Sequence, residues 1–259
     1  MTRPSTLEIL FSPGPGTLEP LTREGTEIHV WAVDLRGDGP AAGLTLSDDE
    51  RSRAARFVLP VHRRRFRSAR HALRSILSRY TSVAPERLVF DYGPHGKPEL
   101  SDRSVCFNLS HCGDLALVAV TRLGPVGVDV ERIRPSPSLS RLARRVLSAQ
   151  ERKCLWELPE ARRPEGFFLA WTRKEALVKM LGEGIFSGLR RLEVTLLPGE
   201  PARVLGYDDP NRGPEARRWR LHDLQPAPGF AAAVATVGAV PSAPRIRTWK
   251  WVETLEEMF

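Results

Sequence analysis

The chain has 259 residues, 41% of them hydrophobic, with a formal net charge of +8 and an isoelectric point of about 10.0. This composition is that of a globular protein with a real core, and no apolar run approaches the roughly 20 residues that span a bilayer, so no membrane association is expected. Arg3 is not followed by a continuous apolar stretch, so no signal peptide is expected, and Cys106, Cys112 and Cys154, odd in number and without a C-x-x-C, read as free thiols of a cytoplasmic protein.

In chain order, residues 1–25 are rich in Pro, Gly and charge and read as a loose terminus. Ile28–Val33 follows as a strand, and Ser47-x-x-Glu50 is a capping box that opens a short helix. Pro60 starts a long basic helix to about Tyr80, carrying Arg63, Arg64, Arg65, Arg67, Arg70, Arg74 and Arg79. Three strand-like runs come next, Arg87–Asp91, Val105–Leu109 and Leu115–Thr121. The second half repeats this order: a strand over Val126–Glu131, a capping box at Ser148-x-x-Glu151, and a long helix over Glu165–Leu181. Runs at Leu192–Leu196, Arg218–Asp223 and Phe230–Val237 then read as strands, with 197–217 a surface loop and Thr248–Val252 a candidate extra strand without a placed partner. The spacing of roughly one hundred residues argues for duplication. The expected fold is α+β: two similar lobes forming a pseudo-dimer, each a small, mostly antiparallel sheet packed on a long helix. Their expected bounds are 1–122 and 123–259, with the chemistry in the second lobe.

Two segments concentrate that chemistry. In Gly127-Val128-Asp129-Val130-Glu131 the period of two puts both carboxylates on one strand face, where they repel unless a cation or proton lies between them. An isolated D-x-E reads first as a solvated strand face. Downstream, Trp171-Thr172-Arg173-Lys174-Glu175-Ala176-Leu177-Val178-Lys179 sets four charges in a helix that is otherwise apolar on almost every side. Phe168, Trp171, Glu175 and Lys179 share one stripe, with Glu175 and Lys179 at i, i+4. That pair reads either as a helix salt bridge or as part of a site, and the cost of charge on a buried helix favours the site. Gly182-Glu183-Gly184 ends the helix.

These two motifs, in this order and separation, resemble the signature pair of the Sfp-type 4′-phosphopantetheinyl transferases. Gly96-Lys97-Pro98 and Asn108-Leu109-Ser110-His111 match the family as well, so the likeness runs from about residue 45 to 235. The resemblance implies transfer of 4′-phosphopantetheine from coenzyme A to a serine of an apo acyl or peptidyl carrier protein, by a monomeric enzyme. It implies that Lys97 meets a coenzyme A phosphate, that His111 contacts the diphosphate or the 3′-phosphate with Ser110 beside it, and that Arg65 holds the 3′-phosphate. Arg53 is expected to help there, although Glu50 stands where the family often has a second basic residue. Asp129, Glu131 and Glu175 are hard oxygen ligands suited to Mg²⁺. Glu175 is also expected to accept the serine proton, Lys179 to neutralise the leaving phosphate and Lys174 to steady the diphosphate. Glu151 sits at a family acidic position, yet it doubles as the third residue of a capping box.

Two other readings use the same residues. A Mg²⁺-dependent nucleotide diphosphate hydrolase would employ the acids with water as nucleophile, but it predicts more Glu clustered on one helix, as in E-x-x-E-E. A nucleic-acid-binding protein would account for the basic charge. However, that charge is nearly all Arg, three of the five lysines (97, 174 and 179) fall in the motifs, and no helix-turn-helix, zinc-finger or aromatic-basic strand pattern accompanies it.

Overall fold

The computed structural model describes residues 8, 10–15, 18, 21, 27–37, 44–183, 188–209, 212–238 and 244–253. Gly184 of the second motif and most of the first 25 residues lie outside them. Among the described residues the fold is mixed α+β, with five α-helices and several small sheets.

The first sheet has the order β11 (Arg245–Lys250), β1 (Glu27–Asp34), β5 (Leu115–Thr121), β4 (Cys106–Cys112). β1 pairs antiparallel with β5 and parallel with β11, and β5 pairs antiparallel with β4. The second sheet has the order β6 (Val126–Arg132), β10 (Phe230–Val237), β9 (Trp219–Leu224), antiparallel throughout. Two short hairpins complete the strands: β2 (Phe90–Tyr92) with β3 (Pro98–Leu100), and β7 (Leu192–Val194) with β8 (Val204–Tyr207).

Strand alternation sorts the apolar residues into three cores. Ile28, Val30, Ala32, Leu115, Leu117 and Ala119 from the first sheet meet Val126, Val128, Val130, Ala232 and Val234 from the second, forming a core between the sheets. The opposite face of the first sheet, with Trp31, Val33, Val118 and Val120, packs on α2 (Pro60–Thr81). The opposite face of the second packs on α5 (Arg163–Leu181), with α3 (Leu139–Val146) and α4 (Ala149–Glu157) beside it. The order is therefore helix, sheet, sheet, helix. Because β5 and β10 are covered on both faces, they read as continuous apolar runs rather than as alternating strands.

The two sheets meet at their edges as well. β4 passes beside β6, and the Asn108 Oδ1 accepts the Val128 N–H at 2.9 Å, satisfying a backbone donor that strand pairing leaves open. α5 lies on small residues of the second sheet, Gly127, Ala231, Ala233 and Ala235. A Cβ at Gly127 would stand 2.0 Å from the Ala176 carbonyl oxygen and 2.4 Å from the Met180 nitrogen.

Several expectations change. The run Arg87–Asp91 is a 3₁₀ turn at Pro85–Arg87 before the strand starts at Phe90, because Pro85 favours the first turn of a helix. The stretch 197–217 is not all loop: it contains β8 and the start of a 3₁₀ segment at Gly213–Arg218. The tail finds its partner in β1, and Glu253 beyond it lies 3.1 Å from the ring nitrogen of buried His71. Near the other end, Pro13 bridges Lys250 and Leu21 is buried, so these described residues of the first 25 are tied to the fold.

The Gly127 contact generates a prediction. Gly127→Ala forces α5 off β6 by backbone displacement and should destabilise the protein by about 2–3 kcal/mol, as overpacked cores do. Urea unfolding checks this, and an unchanged midpoint would show that the helix is free to shift.

Candidate active site

Asp129 and Glu131 alternate with Val128 and Val130, so the valines enter the core between the sheets while the acids turn towards α5. Asp129 is 4% exposed and Glu175, on the facing side of α5, 3% exposed; Glu131 is half-buried. Lys179 donates to Asp129 Oδ1 at 2.6 Å and to Ser110 Oγ at 2.8 Å, and Ser110 Oγ is itself 2.8 Å from the same carboxylate oxygen. Glu131 Oε2 accepts from the Cys112 thiol at 3.2 Å. Ser110 and Cys112 lie on the same face of β4, so one strand of the first sheet braces both acids of β6.

The helix partner of Glu175 is not Lys179, whose ion pair is with Asp129. Asp129 Oδ2 and Glu175 Oε1 are buried without a hydrogen-bond partner. Burial pushes the Glu175 carboxyl up to about 7, the Asp129 charge adds to the shift, and Lys179 opposes it. Burial likewise raises Glu131, with Asp129 contributing. Three carboxyl groups thus share one ammonium, and two orphaned oxygens remain. Among the described residues no three such side chains close into a complete metal cage. The donor set nonetheless fits Mg²⁺, which is held through one or two carboxylates and keeps waters and substrate phosphates in its other positions.

Beside the acids lies a second, cationic group. Arg65 donates to Asp114 at 2.8 Å, in the turn between β4 and β5, and Arg64 reaches the same oxygen at 3.3 Å. His111 is held below the usual histidine range by desolvation, then by the charges of Lys179, Arg65 and His62. Asp114 carries no motif in the sequence; its only signal was the Gly113 turn that follows the strand.

Lys174, Glu151, Arg53 and Lys97 are placed outside this cluster. Lys174 is fully buried and its ammonium donates to Glu151 and to the Val146 and Leu189 carbonyls. It has no donor left for a diphosphate, because it lies on the α4 side of α5, away from Asp129. Glu151 is a structural group: it caps α4 through the Ser148 N–H, accepts the Val194 N–H and ion-pairs with Lys174. Arg53 is exposed and stacks over Phe66 at 5.4 Å. Lys97 sits at the C-terminal end of α5, where it donates to two carbonyls of the last turn and to the Val126 carbonyl of β6. Arg173, the remaining cation of the second motif, binds both Asp223 oxygens and the Thr195 and Glu200 carbonyls.

Two predictions follow from this sorting of charges. Lys174→Met leaves Glu151 buried and unpaired and should cost about 3–5 kcal/mol in stability, with Glu151→Gln in the same chain recovering part of it in urea melts. Unchanged stability with weaker donor binding would return Lys174 to a phosphate role. For Glu175, the carboxyl titrates at about 7 in the folded chain against 4.5 unfolded. The folded state therefore holds a proton that the unfolded state has lost, and this contribution, full below about pH 4.5, disappears as pH rises through 7. In chelator-treated buffer, Glu175→Gln should thus gain stability over the parent at pH 8 and not at pH 4. Parallel pH profiles would show that Glu175 is not charge-stressed.

Comparison with known proteins gives consistent results. The family model described as the 4′-phosphopantetheinyl transferase superfamily matches residues 125–235. The 4′-phosphopantetheinyl transferase HetI of Nostoc sp. is 41% identical over 227 residues, covering 84% of this chain and 91% of HetI. The 4′-phosphopantetheinyl transferase psf-1 of Bacillus pumilus is 35% identical over 56% of this chain and 61% of its own length. Sfp of Bacillus subtilis is 28% identical over 58% of this chain and 72% of its own.

Proposed function

The chain belongs to the 4′-phosphopantetheinyl transferase superfamily, and on that premise we propose how its residues move 4′-phosphopantetheine from coenzyme A to a serine hydroxyl of an apo acyl or peptidyl carrier protein, releasing adenosine 3′,5′-bisphosphate. The observation that carries the assignment of the site is the meeting of Asp129, Glu175 and Lys179, with a buried oxygen of each acid left unpartnered.

Asp129, Glu131 and Glu175 are the residues that would hold Mg²⁺, which supplies neutralising charge to the donor's diphosphate. Glu175 accepts the proton of the carrier serine. The serine oxygen forms a new bond to the phosphorus that bears the pantetheine arm, and the bond from that phosphorus to the oxygen of the adenylate phosphate breaks. Lys179 neutralises the charge that grows on the leaving phosphate. Its present hold on Asp129 and Ser110 keeps its ammonium aimed into the site. Arg65 and His111 bind the nucleotide phosphates. Ser110 is read as a brace for Asp129 and Lys179 before it is a phosphate contact.

The two-lobe reading, with bounds at 1–122 and 123–259, is supported by a repeated device. Glu50 caps α1 (Asp48–Ala55) through the Ser47 N–H and binds Arg74 of α2, which also donates to the Pro85 and Leu88 carbonyls. Glu151 stands in the same relation to Ser148, Lys174 and the Leu189 carbonyl. Strand order supports it too, since β1-β5-β4 and β6-β10-β9 follow the same sequence of connections. A monomeric cytoplasmic enzyme is the accompanying reading, and the free state of Cys106, Cys112 and Cys154 supports its cytoplasmic part alone.

The test is incubation with coenzyme A, Mg²⁺ and a panel of apo carriers, read by intact-protein mass. One phosphopantetheine should be added to at least one carrier, and Asp129→Ala should abolish the addition while circular dichroism stays unchanged. Release of adenosine bisphosphate without a modified carrier would favour the hydrolase reading. Arg65→Ala should raise the KM for coenzyme A roughly ten- to a hundredfold and the KM for its 3′-dephospho form far less, since one charge-assisted phosphate contact is worth about 1.5–3 kcal/mol. An equal rise with both donors would assign Arg65 to Asp114 alone.

A further inference from the structure

Lys97 follows Gly96, whose φ of +76° makes the turn between β2 and β3, and this hairpin carries the lysine to the C-terminal end of α5. Its ammonium donates to the Lys179 carbonyl at 2.7 Å, the Val126 carbonyl at 3.2 Å and the Met180 carbonyl at 3.4 Å. An ammonium has three donors, so none remains. No carboxylate pairs with it among the described residues, and burial lowers its pKa. A lysine kept to bind a phosphate would hold its donors towards solvent; this one holds them towards backbone.

The choice of acceptors has a physical reason. The last four carbonyls of a helix have no intrahelical partner, and a cation there also meets the negative end of the helix dipole. Lys179 and Met180 lie in that last turn, and Gly182 closes it in the left-handed conformation. Val126 is the first residue of β6. One ammonium from the first half of the chain therefore joins the end of the helix that carries Glu175 and Lys179 to the start of the strand that carries Asp129.

We propose that Lys97 is a positioning residue, a clamp that fixes the last turn of α5 against β6 so that the Lys179 ammonium and the Asp129 carboxylate face each other. This rests on the transferase reading for its kinetic consequence but not for its structural one. The role differs from the phosphate contact that the family resemblance implies for this residue.

Lys97→Met and Lys97→Arg, compared with the parent in steady-state transfer and in amide hydrogen exchange, test it. For Lys97→Met a clamp predicts a fall in kcat of about tenfold or more, since small misplacements of reacting groups are costly, with the KM for coenzyme A changed by less than about threefold. Exchange should quicken at Gly182 and Glu183, whose amides bond back to the Lys179 and Val178 carbonyls. Lys97→Arg, which keeps the charge and donors, should recover part of both and provides the exchange comparison if Lys97→Met does not fold. A KM for coenzyme A raised tenfold with kcat and exchange unchanged would overturn the clamp in favour of a phosphate contact. If the parent chain transfers nothing, the transferase reading fails while the exchange result still decides the clamp.

Discussion

The Ala176 carbonyl and the Met180 amide lie against the Cα of Gly127, so close that even a methyl group has no room there. The meeting of Asp129, Glu175 and Lys179 depends on that contact. It sets the depth of α5 on β6, and two residues further along the strand it brings Asp129 within reach of Lys179. The alanines at 231, 233 and 235 extend the same close surface across β10. A helix seated on such small side chains brings its own polar groups to the sheet, and those groups must then pair or be used.

Four polar residues of α5 resolve into two kinds. Arg173 and Lys174 spend their donors on carboxylates and backbone carbonyls of the second half, holding α4 and the β7–β8 hairpin to the helix. Glu175 and Lys179 face β6, where the charges do not balance: three carboxyl groups share one ammonium, and two buried oxygens have no partner. A satisfied network rigidifies, and an unsatisfied one stores a demand for a ligand. The imbalance is the physical case for the proposed cation. The first half of the chain completes the site, since Ser110 and Cys112 brace the acids of β6 from the neighbouring strand.

Much of this was legible in the residues. Period two over 127–131 and the charged block on an apolar helix marked both sides of the site, and the capping boxes marked the starts of α1 and α4. What the helical stripe could not decide was direction. It made Glu175 a neighbour of Lys179, but the lysine turns across to Asp129, a contact between elements 50 residues apart that no local period encodes. Lys174 looked like a site residue because it stands beside Glu175 in sequence, whereas consecutive helix positions point about 100° apart and send it to Glu151. β3, β8 and α3 were missed because Pro98, Gly206 and a run of arginines hide short elements that tertiary pairing stabilises.

The unbalanced charge at Asp129, Glu131 and Glu175 is the feature from which the proposed cation site follows. Calorimetric titration of coenzyme A into the parent chain and into Asp129→Asn, each with and without Mg²⁺, measures whether that charge is a cation site. Mg²⁺ should tighten coenzyme A binding to the parent by about tenfold or more, worth roughly 1.4 kcal/mol, and should have little effect on Asp129→Asn. The same Mg²⁺ effect in both proteins, or none in either, would contradict it.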